Sequence, residues 1–431
     1  MSEPVRVGVV GMGTVGSGVV RVLSQSADHI ARQAGRPIVV EQVVVGDAGK
    51  PRGVPVPGNP ISADLATVSD NPAISVAAML VGGLEPARSI TLELLRKGKD
   101  VVTANKALLA EHGPELFGVA REMGRSIAFE AAVAGGIPIV AAIAECLAAN
   151  RIESIRGILN GTSNFILTRM EEDGSDYAEV LALAQAEGYA EADPAMDVDG
   201  TDATQKLAIL AHLAFGVWVP WGQIPRVGLE TIDQELIRFA DELGYRIRVV
   251  ADASRADRTL AMRVGPTLVR KGTPLAETRG AFNAVSVVGD AVGPMFFHGL
   301  GAGQMPTASA VVADIIDTVV GRAAITFRTT GMLEADPPAA TLAGGGSSRY
   351  LLRLQVTDRP GVMADLTSVL GSEGISIASV IQHQTAAGST AVPLVIMTHT
   401  CEAAAIARAV AALDRQAAVR AATSCLPVLD D

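Results

Sequence analysis

The sequence predicts an α/β protein in three parts: a parallel sheet with crossover helices, a longer α+β region, and a small strand-rich C-terminal unit. Three observations carry this expectation. Aromatic residues are 3% of the 431 residues while hydrophobic residues are 49%, so the core is built from Val, Ala, Leu and Ile, as in parallel strands buried on both faces. Short apolar runs alternate with helical spacings over residues 5–132, the rhythm of strands joined by crossover helices. Residues 349–431 read strand, helix, strand, strand, helix, strand, the order of a ferredoxin-like unit.

The elements follow in order. The opening 5-VRVGVVGMGTVGSGVVRVL-23 reads as a buried strand, a glycine turn and a helix, and 38-IVVEQVVV-45 as a second strand ending at Gly46-Asp47. Apolar runs at 75–81, 100–104 and 126–132 alternate with helical spacings at 86–97 and 113–123, giving a first domain over 1–135. Helices over 161–172, 176–187 and 201–215 with strands over 153–159, 245–251 and 259–265 make a second domain, 136–306. The helix 307–323 is expected to pack back on the first domain, and 331–348, rich in Pro, Gly, Ala and Ser, reads as a linker. The C-terminal unit places strands at 350–356, 375–382, 391–398 and 418–426 and helices at 361–373 and 402–413.

Composition narrows the partners. A net charge of −11 with no dense Lys/Arg block argues against nucleic acid and an anionic membrane, while local cations can still hold a small anion. The longest apolar run, 131–144, is broken by glycines and Pro138 and falls short of the roughly 18–20 residues of a membrane span. Cys146, Cys401 and Cys425 are too few and scattered for a disulfide framework. With no leader-like N-terminus, a cytoplasmic protein is expected.

Three places carry chemistry. Gly11-x-Gly13-x-x-Gly16 leaves a strand and opens a helix, the context in which this pattern binds a dinucleotide: the first glycine permits the turn, the second lets the pyrophosphate approach, and the third allows close helix packing. The first domain is therefore Rossmann-type. Asp47 suits a ribose 2′-hydroxyl, whereas Lys50 and Arg52 suit a 2′-phosphate, so NAD and NADP both stay open. Lys106, just beyond a sheet strand, lies at the edge where α/β folds bind ligands. The stretch 188-GYAEADPAMDVDGTDATQKLAIL-210 holds Glu191, Asp193, Asp197, Asp199 and Asp202, with Lys206 four residues after Asp202. A calcium loop aligned on Gly200 would put Ala195 at its first ligand and Lys206 where a bidentate Glu belongs, so calcium is excluded. Asp202 and Lys206 share one helix face; by spacing alone such a pair is an ordinary surface contact.

Together these blocks resemble the homoserine dehydrogenases. The resemblance rests on the glycine fingerprint, 103-TANKALLA-110, 130-EAAVAGGIPIV-140, 157-GILNGTSNFILTRM-170, the 188–210 stretch and 301-GAGQMPTASAVVAD-314. It implies reduction of L-aspartate 4-semialdehyde to L-homoserine with NADH or NADPH, in the aspartate-derived route to threonine, methionine and isoleucine. It further implies Lys206, Lys106 and Asp202 as the catalytic group, with Glu191 and Asp197 on substrate and the Asn160, Gly161 and Thr162 backbone near its carboxylate. Cofactor contacts are implied for Gly11, Met12, Gly13, Thr14, Val15, Gly16, Asp47, Lys50, Arg52, Lys106, Gly301 and Gly303. Glu130 with the carbonyls of Val133, Gly135 and Ile137 matches a structural monovalent-cation site for sodium or potassium. Relatives often carry Arg-Asp where this chain has Gly46-Asp47, which weakens any inference of strict NADP preference.

The segment 358-DRPGVMADLTSVLGSEGISIASVIQ-382 resembles an ACT domain, a module that binds amino acids and regulates enzymes. The resemblance implies a ligand, threonine in this family, near Asp358, Gly361, Ser376 and Gln382. It also makes residues 136–306 the substrate-binding, catalytic and dimerisation domain of a homodimer or homotetramer. Two other readings stay open: an amino-acid sensor without catalysis, and a dehydrogenase for another small amino or hydroxy acid on the same scaffold.

Overall fold

The computed structural model describes residues 3–51, 53–56, 58, 60–190, 193–256, 259–329, 341–343, 346–383 and 391–430. The chain begins β1 (Val5–Val10), α1 (Thr14–Gln25), α2 (Ala27–Ala34), β2 (Ile38–Val44), β3 (Ile61–Ser62), α3 (Ala66–Ser69), β4 (Ile74–Met79), α4 (Ala87–Arg96), β5 (Asp100–Thr103), α5 (Lys106–Glu122), β6 (Ile127–Ala128) and α6 (Ile139–Ala141). It continues with β7 (Ile152–Ile158), α7 (Gly161–Asp173), α8 (Tyr177–Ala186), α9 (Ala195–Val198), α10 (Thr201–Phe215), α11 (Gln234–Glu242), β8 (Tyr245–Ala256), β9 (Thr259–Arg270), β10 (Phe282–Gly289) and β11 (Gly293–Leu300). Last come α12 (Gln304–Val319), α13 (Arg322–Thr329), β12 (Thr341–Ala343), β13 (Ser347–Val356), α14 (Val362–Ser372), β14 (Ile377–Ile381), β15 (Val392–Thr398), β16 (Cys401–Glu402), α15 (Ala403–Leu413) and β17 (Ser424–Leu429). These elements form two compact units, residues 1–155, 202–224 and 282–340 in one and residues 156–201, 225–281 and 341–431 in the other.

In the first unit, six strands run in the order β3-β2-β1-β4-β5-β6, all paired parallel. The chain winds outward in both directions from β1, so the carboxyl ends of β1 and β4 border the crevice where such sheets bind ligands. Apolar residues of β1, β2 and β4 (Val7, Val9, Val43, Val76, Ala78) share one buried cluster with Val19 and Val20 of α1 and Ala308, Val311 and Ile315 of α12. Gly18 lets α12 approach this closely, because a Cβ there would lie 2.9 Å from the Cβ of Ala308. The helix expected over 307–323 thus starts earlier and stops at Val319, before Gly321 at a φ of 87°.

Two further expectations shift here. The helix placed at 113–123 begins at Lys106 and carries Pro114 inside it, so a residue that usually opens or breaks helices sits in the middle of this one. The strand expected over 126–132 is only Ile127–Ala128 and gives way to a tight helical turn at Glu130–Ala132. Helices α5 and α10 are held together by rings: His212 of α10 meets the edge of Trp218 at 5.1 Å and Phe117 of α5 at 6.2 Å. Gly113 makes room, since a Cβ there would lie 2.9 Å from the Trp218 ring.

In the second unit, β8 and β9 form a long antiparallel pair. Strand β17 adds to β9 in parallel, Val428 opposite Leu268, and the C-terminal strands follow in the order β17-β13-β15-β14. That is the strand order of a ferredoxin-like sheet, closed over Leu352, Leu354, Leu366, Leu370, Ile396, Ile406 and Leu413. Of the segment read as a linker, 331–340 lies outside the described residues, Thr341–Ala343 pairs with β9 as β12, and β13 begins at Ser347. The last strand starts later than expected, at Ser424, because Thr423 bonds back to Asp414 through its N–H and hydroxyl.

Burial pushes the His212 imidazole down to about 4 from its ordinary 6.5. A depressed pKa means the unfolded chain takes up the proton first, so this group's stabilisation is full above 6.5 and is lost as pH falls through about 4. Melting followed across that window should lose on the order of 3 kcal/mol from this group. His212→Phe, which keeps a ring, should flatten that part of the acid slope; an unchanged slope would remove His212 as its source.

Candidate active site

The glycine turn between β1 and α1 divides its work by position. Gly11 has a φ of 98°, and a Cβ there would meet the Leu80 backbone at 2.8 Å. A Cβ on Gly16 would lie 2.1 Å from the Gly11 carbonyl oxygen, so turn and helix meet at a distance only glycine permits. At Gly13 a Cβ would meet nothing within 4 Å, which leaves open space at the N-terminus of α1, where backbone N–H groups and the helix dipole favour a phosphate. The adjoining cleft of about 500 Å³ is lined by Gly11, Met12, Gly13, Gly46, Lys50, Leu80, Val81 and others. Thr14 and Val15 open α1. Asp47 accepts from the Gly49 N–H at 2.9 Å, and Arg52 lies outside the described residues. This cleft fits a dinucleotide.

The segment that carries Gly301 and Gly303 and opens α12 returns to this turn. Gln304, the first residue of α12, donates to the Thr14 carbonyl at 3.0 Å and accepts from Arg21 at 3.3 Å. Gly301 packs where a Cβ would overlap the Asn283 amide at 2.0 Å, and Gly303 opens α12 at a φ of 113°. The sequence places Gly301 and Gly303 far from Gly11; the Gln304 bonds bring that segment beside the turn.

The same unit brings Lys106, Asp202 and Lys206 together. Asp202 accepts from Lys206 Nζ at 2.7 Å through Oδ2 and pairs with Lys106 Nζ at 3.0 Å through Oδ1. The Asp202 side chain is 6% exposed, that of Lys206 10% and that of Lys106 37%. Spacing alone made Asp202 and Lys206 a surface pair; the structure buries them, because α10 is buried along nearly its whole length, its own Ala203, Ala208 and Ala211 included. Two lysines share one carboxylate, and Lys106 is the more open of the two.

Glu130 lies in the same unit, where its carboxylate caps α6 by accepting from the N–H groups of Val140 at 2.9 Å and Ala141 at 2.7 Å. Burial pushes its carboxyl up to about 7 against the pull of those amides. Its own N–H donates to Asp314 of α12 at 2.9 Å. The following residues turn sharply, with φ at 51° for Ala134 and 29° for Gly135. Ile137 accepts from the Ile139 N–H at 2.8 Å, while among the described residues no hydrogen bond ends on the Val133 or Gly135 carbonyl.

The second unit holds the remaining expected residues. Asn160 caps α7 by accepting from the Ser163 N–H at 2.7 Å, and its amide donates to Asp197 of α9 at 2.8 Å. Gly161 sits against Ala281, whose carbonyl oxygen a Cβ would approach to 2.7 Å, and Thr162 donates to the Tyr189 carbonyl at 2.7 Å. Asp193 and Asp199 end in local bonds, the first to Ala195 N–H and the second to the N–H and hydroxyl of Thr201. Glu191 lies outside the described residues.

Comparison with known proteins matches these blocks throughout. Residues 11–130 match the family model described as homoserine dehydrogenase, NAD binding domain, residues 138–316 that of homoserine dehydrogenase, and residues 350–418 the ACT domain. The homoserine dehydrogenase of Pseudomonas aeruginosa is 44% identical over 96% of this chain and 96% of its own length. The chain belongs to the homoserine dehydrogenase family. The Bacillus subtilis homoserine dehydrogenase is 40% identical over 92% of each chain. A solved homoserine dehydrogenase from Thiobacillus denitrificans superposes with a TM-score of 0.90 at 40% identity, covering 99% of both chains. A hyperthermophilic archaeal homoserine dehydrogenase in complex with NADPH matches with a TM-score of 0.61 at 25% identity over 73% of this chain and 97% of its own. The protein is an NAD(P)-dependent oxidoreductase of this family, with an ACT domain at its C-terminal end.

The expected ACT positions are all at the surface: Asp358, Gly361, Ser376 and Gln382 are exposed. Gly361 opens α14 at a φ of 94°, and the Ser376 carbonyl accepts from His399 N–H at 2.8 Å. Two residues escape the sequence reading. Gln304 gives no signal in its motif. Asn105 does: it is an Asn directly before KALLAE, a helix-start pattern hidden once the helix is begun at 113. Among the described residues no group of three or more His, Cys, Asp or Glu is placed to hold a metal ion, and no helix is long and apolar enough to cross a membrane.

The lysine cluster makes a stability prediction. Asp202→Asn leaves Lys206 buried beside a neutral amide and should lower the unfolding free energy by about 3 kcal/mol. Lys106→Ala, removing the more exposed partner, should cost about 1 kcal/mol or less. Urea midpoints of the two variants give the comparison; equal losses would contradict the burial difference.

Proposed function

We propose that this chain interconverts L-aspartate 4-semialdehyde and L-homoserine through the Asp202-bridged lysines, with threonine feedback through the ACT domain. The observation that carries this reading is the pairing of both lysines with one buried carboxylate in the unit that holds the dinucleotide turn. NADH or NADPH, when bound, supplies hydride to the aldehyde carbon. Negative charge then develops on the aldehyde oxygen, and a lysine ammonium of the Lys106–Asp202–Lys206 cluster stabilises it. One lysine ammonium protonates that oxygen and is reprotonated from solvent; in the reverse direction it takes the hydroxyl proton. Asp202 holds Lys206 by its shorter bond, leaving the more exposed Lys106 for the substrate side. Glu191 and Asp197 are assigned to the α-ammonium, and the backbone of Asn160, Gly161 and Thr162 to the α-carboxylate.

Sodium or potassium is assigned to Glu130 and the carbonyls of Val133, Gly135 and Ile137. A carboxylate with carbonyl oxygens suits a hard monovalent ion, and the two carbonyls that accept no hydrogen bond among the described residues support the fit. Its role is structural, holding the turn between β6 and α6. Pairing of two copies is supported by the outer strand β11, where Met295, Phe296 and Leu300 are exposed, which fits a homodimer.

Threonine control would reach the catalytic region through α11. Arg353 of β13 donates to both oxygens of Asp233 at 2.6 and 2.5 Å, and Asp233 caps α11. Gln355 donates to Glu235 at 3.0 Å, and His383 stacks on Phe239 with ring centroids 5.5 Å apart. Gln234 in turn donates to the Met170 and Ser175 carbonyls at the far end of α7, the helix that Asn160 caps. Threonine binding that shifts β13 would therefore press on the helix that begins at the expected substrate residues.

Two assays test these assignments. Lys206→Ala should lower turnover of aspartate semialdehyde by about 10²–10⁴-fold and leave NADPH affinity nearly intact; unchanged turnover would defeat the assignment. Threonine should slow the parent enzyme, and Arg353→Ala should keep the uninhibited rate while losing most of that inhibition. A parent insensitive to threonine would refute the feedback reading, and a fully inhibited Arg353→Ala would refute the route through α11.

A further inference from the structure

We infer that Asn105 is a positioning residue that ties the helix bearing Lys106 to the wall of the nucleotide cleft and so sets the lysine against the cofactor. This rests on the functional reading above. Asn105 lies between β5 and α5 and is 9% exposed. Its side-chain oxygen accepts from the Leu108 N–H at 3.0 Å, capping α5. Its side-chain nitrogen donates twice, to the Val81 carbonyl at 3.0 Å and the Gly83 carbonyl at 2.7 Å. Val81 lines the nucleotide cleft with Leu80, whose backbone meets the Gly11 turn. Lys106, the next residue, reaches Asp202.

The residue type is more than a cap requires. Ser, Thr and Asp cap helices as well as Asn does, because a cap needs only an acceptor. A short side chain that offers one acceptor and two N–H donors is found in Asn alone. Asp at this position would set a carboxylate against two carbonyl oxygens, and Gln would carry the amide one methylene too far. The second connection runs beside the first: Thr103 donates to the Met79 carbonyl at 3.0 Å and its hydroxyl oxygen accepts from the Asn105 N–H at 3.2 Å. Residues 103–105 are thereby stitched to residues 79–83, which border the cofactor, while the same side chain begins the helix that starts with Lys106.

The consequence is geometric. Loss of the two donor bonds frees the 80–83 loop to move relative to the start of α5 without unwinding the helix, and displacement of a reacting group by about 1 Å can cost about 10²-fold in rate. Asn105→Ser separates the two jobs, because serine keeps the cap and cannot reach either carbonyl. Parent and variant are compared for kcat and KM with aspartate semialdehyde, for the primary deuterium isotope effect with NADPH deuterated at the transferred position, for NADPH affinity by fluorescence titration, and for Tm. The expected result is a kcat lowered by about 30- to 100-fold, an enlarged isotope effect as hydride transfer becomes limiting, NADPH affinity weakened by about tenfold, and a Tm close to the parent's. A merely structural role would lower Tm and leave the isotope effect unmoved.

A kcat, isotope effect and NADPH affinity within about twofold of the parent's would overturn the inference. If Asn105→Ser does not fold, Asn105→Gln, which keeps the amide but displaces it, is read on the same axes with the same outcomes. If the parent does not turn over aspartate semialdehyde, the functional reading fails, and the NADPH titration alone then decides: weakened binding in the variant supports the tie to the cleft wall, and unchanged binding overturns it.

Discussion

A buried carboxylate that pairs with two ammonium groups ties their positions together, because removing the carboxylate leaves a buried cation in a medium that solvates it poorly. Asp202 is such a group, and it joins residues a hundred positions apart: Lys106 at the start of α5 and Lys206 within α10. For the contact to persist the two helices must keep a fixed register. The rings of Phe117, His212 and Trp218 supply that farther along the same helices, with Gly113 making the close approach possible. The start of α5 is set separately, by the bonds of Asn105 to the 81–83 loop.

The nucleotide fold was legible because its determinants are local. Gly11, Gly13 and Gly16 lie within six residues, and each has a steric role that the glycine pattern already implies. The apolar face of α12 lies in the same buried cluster as β1, β2 and β4, through Ala308, Val311 and Ile315. Long-range pairing was not legible: that Thr341–Ala343 and β17 both join β9 depends on contacts with no short-range signature. The start of α5 was misplaced because Pro114 reads as a helix boundary, and the error concealed the cap at Asn105.

The candidate site divides in the same way. The i, i+4 spacing of Asp202 and Lys206 was visible, but spacing cannot distinguish a solvated pair from a buried one. Burial came from the alanines that let α10 be covered on every side, and the second lysine came from the fold. Asp193 and Asp199 proved local, each closing a turn through its own neighbours. Glu130 shows the converse: a lone acid in an apolar loop, it caps α6 and sits beside Asp314, both carboxyls raised by burial.

The central claim is that Lys106 and Lys206 act as one unit through Asp202. A double-mutant cycle on turnover tests it directly: Lys106→Ala, Lys206→Ala and the double variant, each measured for kcat/KM with aspartate semialdehyde. If the lysines work through the shared carboxylate, the double variant should be no more than about tenfold slower than the worse single variant. Losses that simply multiply would mean two independent groups, and the shared-carboxylate account would be wrong.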